Sequence, residues 1–295
     1  GGLVVFPTET VYGLGADANN LDALNKLFMA KKRPINHPVI VHIENLDFLD
    51  YWVKEMPNYA KELINKFWPG PLTLILPRSE NVNNLVTGGQ DTVGIRMPKH
   101  EIALKLINEF HNLGGKGVVA PSANMFGNVS PTDFVSAKNA LIDSLEKVDL
   151  FIDGGECDIG IESTIVDCSN SRPQILRKGA ITGDMISKFI EIDTSYQKRI
   201  RAPGGLASHY RPRVPVVTNI EAKKGDGLIA LSEVFTPDGV TRLASPSSTR
   251  EYAQILYRAF RQGDILGVTR IVVMLPNGDG LAAAIRDRVL RASFK

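Results

Sequence analysis

Short apolar runs recur along the chain with polar and glycine-rich punctuation between them: Leu3 to Phe6, Val39 to Ile43, Leu72 to Leu76, Thr92 to Met97, Gly117 to Ala120, Leu150 to Ile152 and Ser163 to Val166. Runs of this length bounded by turn formers predict buried strands. Helix-period stretches lie between them. Leu21, Leu24, Leu27 and Phe28 repeat at helical spacing after Asn19-Asn20, a plausible cap, and Pro34 stops that helix. Ile102, Leu106 and Phe110 predict a second helix, and Ala140, Leu141 and Leu145 a third. Each helix must bury its apolar stripe on something, so mixed strands and helices over residues 1–198 predict one large α/β or α+β domain around a twisted sheet.

The pattern breaks from Arg199 through Pro203-Gly204-Gly205 and His209-Tyr210-Arg211-Pro212 to Arg213 and Val214, where glycine and proline oppose regular structure. Residues 199–214 read as a linker. Beyond it, Leu228 to Leu231 and Ile271 to Met274 predict strands, and Thr249 to Arg261 and Leu281 to Leu290 predict helices. Residues 215–295 thus form a small β/α unit without a Gly-x-Gly-x-x-Gly fingerprint. The chain opens directly in the strand-like run Gly1 to Phe6, which implies further residues upstream.

Composition changes the picture little. The 34 basic and 32 acidic residues leave a net charge of +2, so an anion site must be local. Cys157 and Cys168 supply neither a disulfide framework nor a thiolate zinc site, and the histidines lack metal-ligand spacing. No apolar run approaches the roughly 18 residues that span a bilayer, and no signal peptide is recognisable, which together fit a cytoplasmic protein.

Several segments offer chemistry. Pro7-Thr8-Glu9-Thr10-Val11-Tyr12-Gly13-Leu14-Gly15-Ala16 gathers hydroxyls and flexible backbone between a predicted strand and a predicted helix, where α/β folds often bind ligands, although a connecting loop has the same composition. Lys31-Lys32-Arg33 either complements a helix C-terminus or clamps phosphates. Arg96 lies among apolar strand residues and needs a carboxylate or phosphate partner, which a structural Asp or Glu would satisfy as well as a substrate. His42 lies in an alternating strand, where a satisfied histidine is the ordinary reading. Ser122-Ala123-Asn124, Ser130 and the pair Glu162-Ser163 with Arg177 place further polar groups at strand ends. Walker A, kinase, His-Glu-x-x-His and Gly-x-Ser-x-Gly patterns are absent from the sequence.

In order, Pro7-Thr8-Glu9-Thr10-Val11-Tyr12-Gly13-Leu14-Gly15, Lys31-Lys32-Arg33 as a Lys-x-Arg and Ser122-Ala123-Asn124 as a Ser-x-Asn resemble the threonylcarbamoyl-AMP synthases of the YrdC and Sua family. Pro203-Gly204, His209-Tyr210, Tyr252-Ala253 and Ala284-Ile285-Arg286-Asp287-Arg288 extend the likeness to its two-domain form. The resemblance implies a YrdC-like catalytic domain with a large basic cavity, a linker acting as a lid and a small Rossmann-like domain. It implies a nucleotidyltransferase that joins L-threonine, bicarbonate and ATP into threonylcarbamoyl-AMP and pyrophosphate, for threonylcarbamoyl-adenosine modification of tRNA. Threonine would lie near Thr10, His42, Arg96, Ala120 and Ser163. ATP would lie near Lys31, Arg33, His37, Thr92, Ser122, Asn124, Ser130, Arg177 and Tyr210, with Lys31 and Arg33 catalytic and Mg2+ accompanying the nucleotide. A downstream tRNA-modifying transferase complex would take the product, with weak RNA contact at most. His37 replaces the smaller amide residue common in relatives, and the segment after Pro215 is short for the family. A non-catalytic RNA-binding or ribosome-maturation module is the rival from another class, but it lacks an aromatic stacking platform. A carbamoyl-transfer domain acting without threonine is a second, and it lacks that group's zinc-binding cysteines.

Overall fold

The computed structural model describes residues 1–146, 149–195 and 200–294. Nine strands build the larger sheet: β1 (Val4–Phe6), β2 (Gly13–Asp17), β3 (Ile40–His42), β4 (Leu72–Pro77), β5 (Thr92–Arg96), β6 (Val118–Val119), β7 (Leu150–Phe151), β8 (Thr164–Asp167) and β9 (Gln174–Arg177). Their order is β7-β1-β2-β6-β3-β5-β4-β8-β9. Only the β1/β7, β3/β5 and β4/β8 pairs are parallel, so the sheet is mixed. Every apolar run that predicts a strand in this half of the chain supplies one, with ends that differ by a residue or so; β4 and β8 run one residue further than expected.

Two strands lie outside those runs: β9, and β2, whose sequence Gly-Leu-Gly-Ala-Asp looks like loop leading to a helix. Crowding explains it: a Cβ on Gly15 would lie 2.9 Å from both Phe6 and Val4 and 3.1 Å from Val118. Glycine is what lets β2 lie between β1 and β6. Helix Leu21–Ala30 follows as its spacing predicts, with the Asn20 side chain accepting from the Ala23 amide. Its buried stripe of Leu24, Leu27 and Phe28 joins Val41, Leu74 and Ile95 in the main core. Leu145 falls outside the helix predicted for it. Helix Phe134–Leu141 passes into a 3-10 turn, Ile142–Ser144, and Leu145 packs on the core edge instead.

The second sheet is wholly parallel, in the order β10 (Val216–Thr218), β13 (Ile271–Val273), β11 (Gly227–Ile229), β12 (Thr241–Ala244). Helix Thr249–Leu266 is capped by Ser248 and closed by Gly267 at φ 63°, and helix Leu281–Ser293 packs beside it. Between the sheets, residues 200–214 contain no helix or strand; Arg199, the expected start of the linker, lies outside the described residues. The smaller unit shares a core with the larger one: Val11, Val129, Ile161 and Tyr210 pack with Tyr257, Phe260 and Ile285. No helix among the described residues is long and apolar enough to cross a membrane.

Candidate active site

β3 and β5 run in parallel, and their last residues, His42 and Arg96, are register partners, so two polar side chains leave the sheet at one level. The turn before β2 brings Thr10 to the same place. The Thr8 hydroxyl donates to the Val11 carbonyl at 2.7 Å and folds this turn locally. Arg96 donates from Nη1 to Thr10 Oγ1 at 2.9 Å and from Nε to the Gly70 carbonyl at 3.3 Å, and its Nη2 lies 2.7 Å from Glu9 Oε2. The partner that a buried strand arginine requires is therefore internal, and it is a carboxylate. Burial, reinforced by the Arg96 charge, pushes His42 down to about 3, so its ring is neutral at neutral pH. Its Nδ1 lies 3.2 Å from the Ile40 carbonyl. Ser163, just before β8, shares a 2.8 Å hydrogen bond with Thr73. Thr10, His42, Arg96, Ala120 and Ser163 all line one cavity.

The same cavity is also cationic. Arg33 and Arg177 line the same cavity with Ser122 and Tyr210. Arg33 donates to the Pro38 and His37 carbonyls at 2.6 and 3.3 Å, and Arg177 to the Ser163 and Pro203 carbonyls at 2.9 and 3.1 Å. Lys31 sits behind them, its amine on the Ser122 and Asn124 carbonyls. The chain bends at Lys32, φ 49°, and turns Lys31 and Arg33 inward, so neither charge serves as a solvent-facing cap of the preceding helix. Burial, then the neighbouring Arg33 charge, holds the Lys31 amine well below its usual value; burial and then Arg177 bring Arg33 down to about 10. Among the described residues none of Lys31, Arg33 and Arg177 has a carboxylate within ion-pair distance. Like charges gathered in a dry site favour an anion.

Five residues expected at ATP do not line this cavity: Lys31, His37, Thr92, Asn124 and Ser130. Lys31 is behind the wall. His37 is half-buried with its ring edge-on to Phe126, centroids 5.0 Å apart. Thr92 opens β5 opposite Pro77. Asn124 donates to the Met125 and Asn128 carbonyls and faces a second hollow of 540 Å³, which Arg211, Arg213 and Arg261 also line. Ser130 donates to Glu162 Oε1 at 2.6 Å. The structure adds Glu162, Pro203, Gly204 and His209 to the lining, residues that the sequence shows only as neighbours of others. Burial above all pushes His209 down to about 3, and its Nδ1 and the Tyr210 hydroxyl are buried without a partner among the described residues. Unsatisfied polar groups on a cavity wall mark places where a ligand completes the bonding.

The free volume is 60 Å³, much smaller than the large cavity the resemblance implies and below the roughly 300–1,000 Å³ of ordinary ligand pockets. Pro203, Gly204, His209 and Tyr210 are part of its lining. Tyr210 is held at φ 59° and lies 5.7 Å from Tyr257, centroid to centroid, in a stacked arrangement.

A twisted mixed sheet whose strand ends meet in a cation-lined cavity, joined to a small parallel α/β unit, places the protein in the class of YrdC-like enzymes that act on anionic substrates. Residues 1–179 match the Sua5, YciO and YrdC family, described as "Telomere recombination", and residues 181–293 match the threonylcarbamoyl-AMP synthase C-terminal domain. The chain belongs to the threonylcarbamoyl-AMP synthase family. It is 40% identical to the threonylcarbamoyl-AMP synthase of Pyrococcus abyssi, covering 99% of this chain and 91% of that one, and 36% identical to that of Bacillus subtilis, covering 99% and 89%. Among solved structures, P. abyssi Sua5 in complex with L-threonine superposes with a TM-score of 0.88 at 37% identity, over 99% of this chain and 90% of that one. Escherichia coli YciO matches 61% of this chain and 84% of its own, with a TM-score of 0.51 at 25% identity.

Proposed function

We propose that this chain is an L-threonylcarbamoyladenylate synthase, a nucleotidyltransferase that makes threonylcarbamoyl-AMP and pyrophosphate for tRNA modification. The observation that carries this reading is one cavity lined by two unlike sets of groups: Thr10, His42, Arg96, Ala120 and Ser163 in the first, Arg33, Ser122, Arg177 and Tyr210 in the second, which meet where Arg177 donates to Ser163. The first suits an amino acid and the second a nucleotide triphosphate. We assign catalysis to residues 1–198, the crossing segment to 199–214 and the smaller domain to 215–295.

Threonine's carboxylate goes to Arg96, whose guanidinium carries five N–H donors, and three partners (Gly70, Thr10 and Glu9) leave donors over. Its amine stays free to add to carbon dioxide drawn from bicarbonate, giving a carbamate. A carbamate oxygen then attacks the α-phosphorus and the α–β bridging bond breaks, expelling pyrophosphate. Arg33 and Arg177 face the charge that builds on the phosphoryl oxygens, and an arriving phosphate favours the charged form of the Lys31 amine, which burial disfavours. Positioning and charge compensation suffice, and no covalent nucleophile is required. Carbamates decompose in water, which gives a wall closed by Tyr210 its purpose. Substrates of this size enter only if the Pro203–Tyr210 segment moves aside.

Mg2+ belongs to the ATP rather than to a protein cage in this reading. Among the described residues no three His, Cys, Asp or Glu side chains come together, and the carboxylates nearest the cavity are engaged by Arg96 and Arg288. The cytoplasm and a downstream tRNA-modifying transferase follow from the reaction. A surface that grips RNA would expose its cations, whereas Lys31, Arg33 and Arg177 are buried.

The test is pyrophosphate release from ATP and bicarbonate, with and without L-threonine, in the native chain and in Arg33→Ala. Threonine-dependent release that vanishes in the variant is the expected result; release indifferent to threonine refutes the assignment.

A further inference from the structure

Glu162 is a carboxylate on the wall of a cavity assigned to polyanions, which is electrostatically the wrong group unless something cancels it. The cancelling charge comes from the smaller domain. Arg288, on helix Leu281–Ser293 and fully buried, donates from Nε to Glu162 Oε2 at 2.8 Å and from Nη2 to the Lys178 carbonyl at 2.9 Å. Tyr257, on the neighbouring helix, donates its hydroxyl to the same Oε2 at 3.0 Å. The other oxygen, Oε1, accepts from Ser130 at 2.6 Å. Arg288 also lies 5.1 Å from the centre of the Tyr210 ring, a cation–π distance. Burial pushes the Glu162 carboxyl up, but Arg288 and Arg177, with the hydrogen bonds from Ser130 and Arg288, outweigh it and bring it down to about 2.

The consequences reach both walls. Ser163, the next residue, belongs to the threonine wall and takes Arg177 Nη2 on its hydroxyl at 3.0 Å; Ser130 and Tyr210 belong to the expected ATP side. One carboxylate therefore ties together parts of both, and one arginine from another domain holds it.

We infer that Arg288 is a positioning residue for the reaction: it neutralises Glu162 and holds Glu162, Ser130 and Tyr210 in the arrangement that receives ATP beside threonine. The smaller domain then contributes to the site through this side chain and Tyr257. The inference rests on the synthase reading for the identity of the ligands, and not for the charge balance itself.

The experiment is a double-mutant cycle in the full chain: native, Arg288→Met, Glu162→Gln and the double variant, with Arg288→Lys as the conservative replacement. Two quantities are read, ATP affinity by calorimetry and kcat and KM for threonine-dependent pyrophosphate release, each at a denaturant-free temperature where circular dichroism shows every variant folded. Arg288→Met, which leaves an uncancelled carboxylate at the phosphates, is expected to weaken ATP binding and raise KM for ATP by about tenfold or more, and adding Glu162→Gln to recover most of that loss. Arg288→Lys, which keeps the charge and not the fork, is expected to fall between them; it serves as the first arm of the cycle if Arg288→Met does not fold. An Arg288 variant, folded, with native ATP affinity and KM overturns the inference, and so does a double variant as weak as or weaker than Arg288→Met. If the native chain shows no threonine-dependent release, the synthase reading fails, while the ATP titrations still decide the role of Arg288.

Discussion

Glu9 and Arg96 form a buried ion pair, Oε2 to Nη2 at 2.7 Å, with each side chain only 5% exposed. Glu9 does not reach the cavity surface, whereas Arg96 does. The carboxylate thus aims the guanidinium without competing for the space in front of it. Arg96→Met should cost about 3–5 kcal/mol of stability, because it strands a buried carboxylate. Adding Glu9→Gln should return much of that loss while leaving threonine-dependent turnover abolished. Urea unfolding of the native chain and the two variants checks the first statement and pyrophosphate release the second.

Lys31, Arg33 and Arg177 repel one another without a paired carboxylate among the described residues, so an anion that enters should stabilise the folded state. At a concentration of a hundred times its Kd, pyrophosphate or ATP should add about 2.7 kcal/mol by mass action. The melting temperature of the native chain should rise accordingly, and that of Arg33→Ala should rise much less. A thermal scan with increasing pyrophosphate reads both.

Glu162 should show itself in acid. Its folded carboxyl is held at about 2, against an ordinary value of 4.5, by Arg288 and Arg177 with bonds from Ser130 and Arg288, and Tyr257 and Tyr210 also face it. A carboxyl depressed by folding contributes stability that is present above 4.5 and lost as pH falls from there towards 2. The difference is on the order of 3 kcal/mol. Stability of the native chain should therefore fall more steeply between pH 4.5 and 2 than that of Glu162→Gln, measured by denaturant unfolding at a series of pH values.

Gly204 is the tightest point of the crossing segment. Its φ is 79°, and a Cβ there would lie 2.2 Å from the Tyr210 hydroxyl and 3.3 Å from Arg177 Cδ. Gly204→Ala should cost about 1–3 kcal/mol in backbone strain and displace Tyr210 from the mouth. Limited proteolysis should cut the segment faster in the variant. Turnover should fall, because carbamate that meets water reverts to threonine and bicarbonate before it can attack the α-phosphorus, while pyrophosphate and threonylcarbamoyl-AMP still form one for one.

The sequence made seven strands of the large sheet legible because each is a short apolar run between breakers, and the Leu21–Ala30 helix because Asn20 and Pro34 bracket its period. It hid β2, whose glycines answer to the crowding of Phe6, Val4 and Val118, contacts that exist only after the sheet has formed. Arg96 was readable as a residue in need of a partner, while Glu9 as that partner was not, since the two are distant in sequence. Glu162 was harder still. Its meaning depends on Arg288 and Tyr257, and nothing in the spacing of a strand end and two remote helices announces that they meet.

Thr10 and Tyr210 line one cavity although they come from opposite thirds of the chain, and Glu162, in the same lining, is held from near the C-terminus. During synthesis the sheet, with its amino acid wall, is complete before the segment that closes the mouth leaves the ribosome. Glu162 is made long before Arg288 and Tyr257, so its carboxylate has no partner from the smaller domain until translation has reached the last two helices.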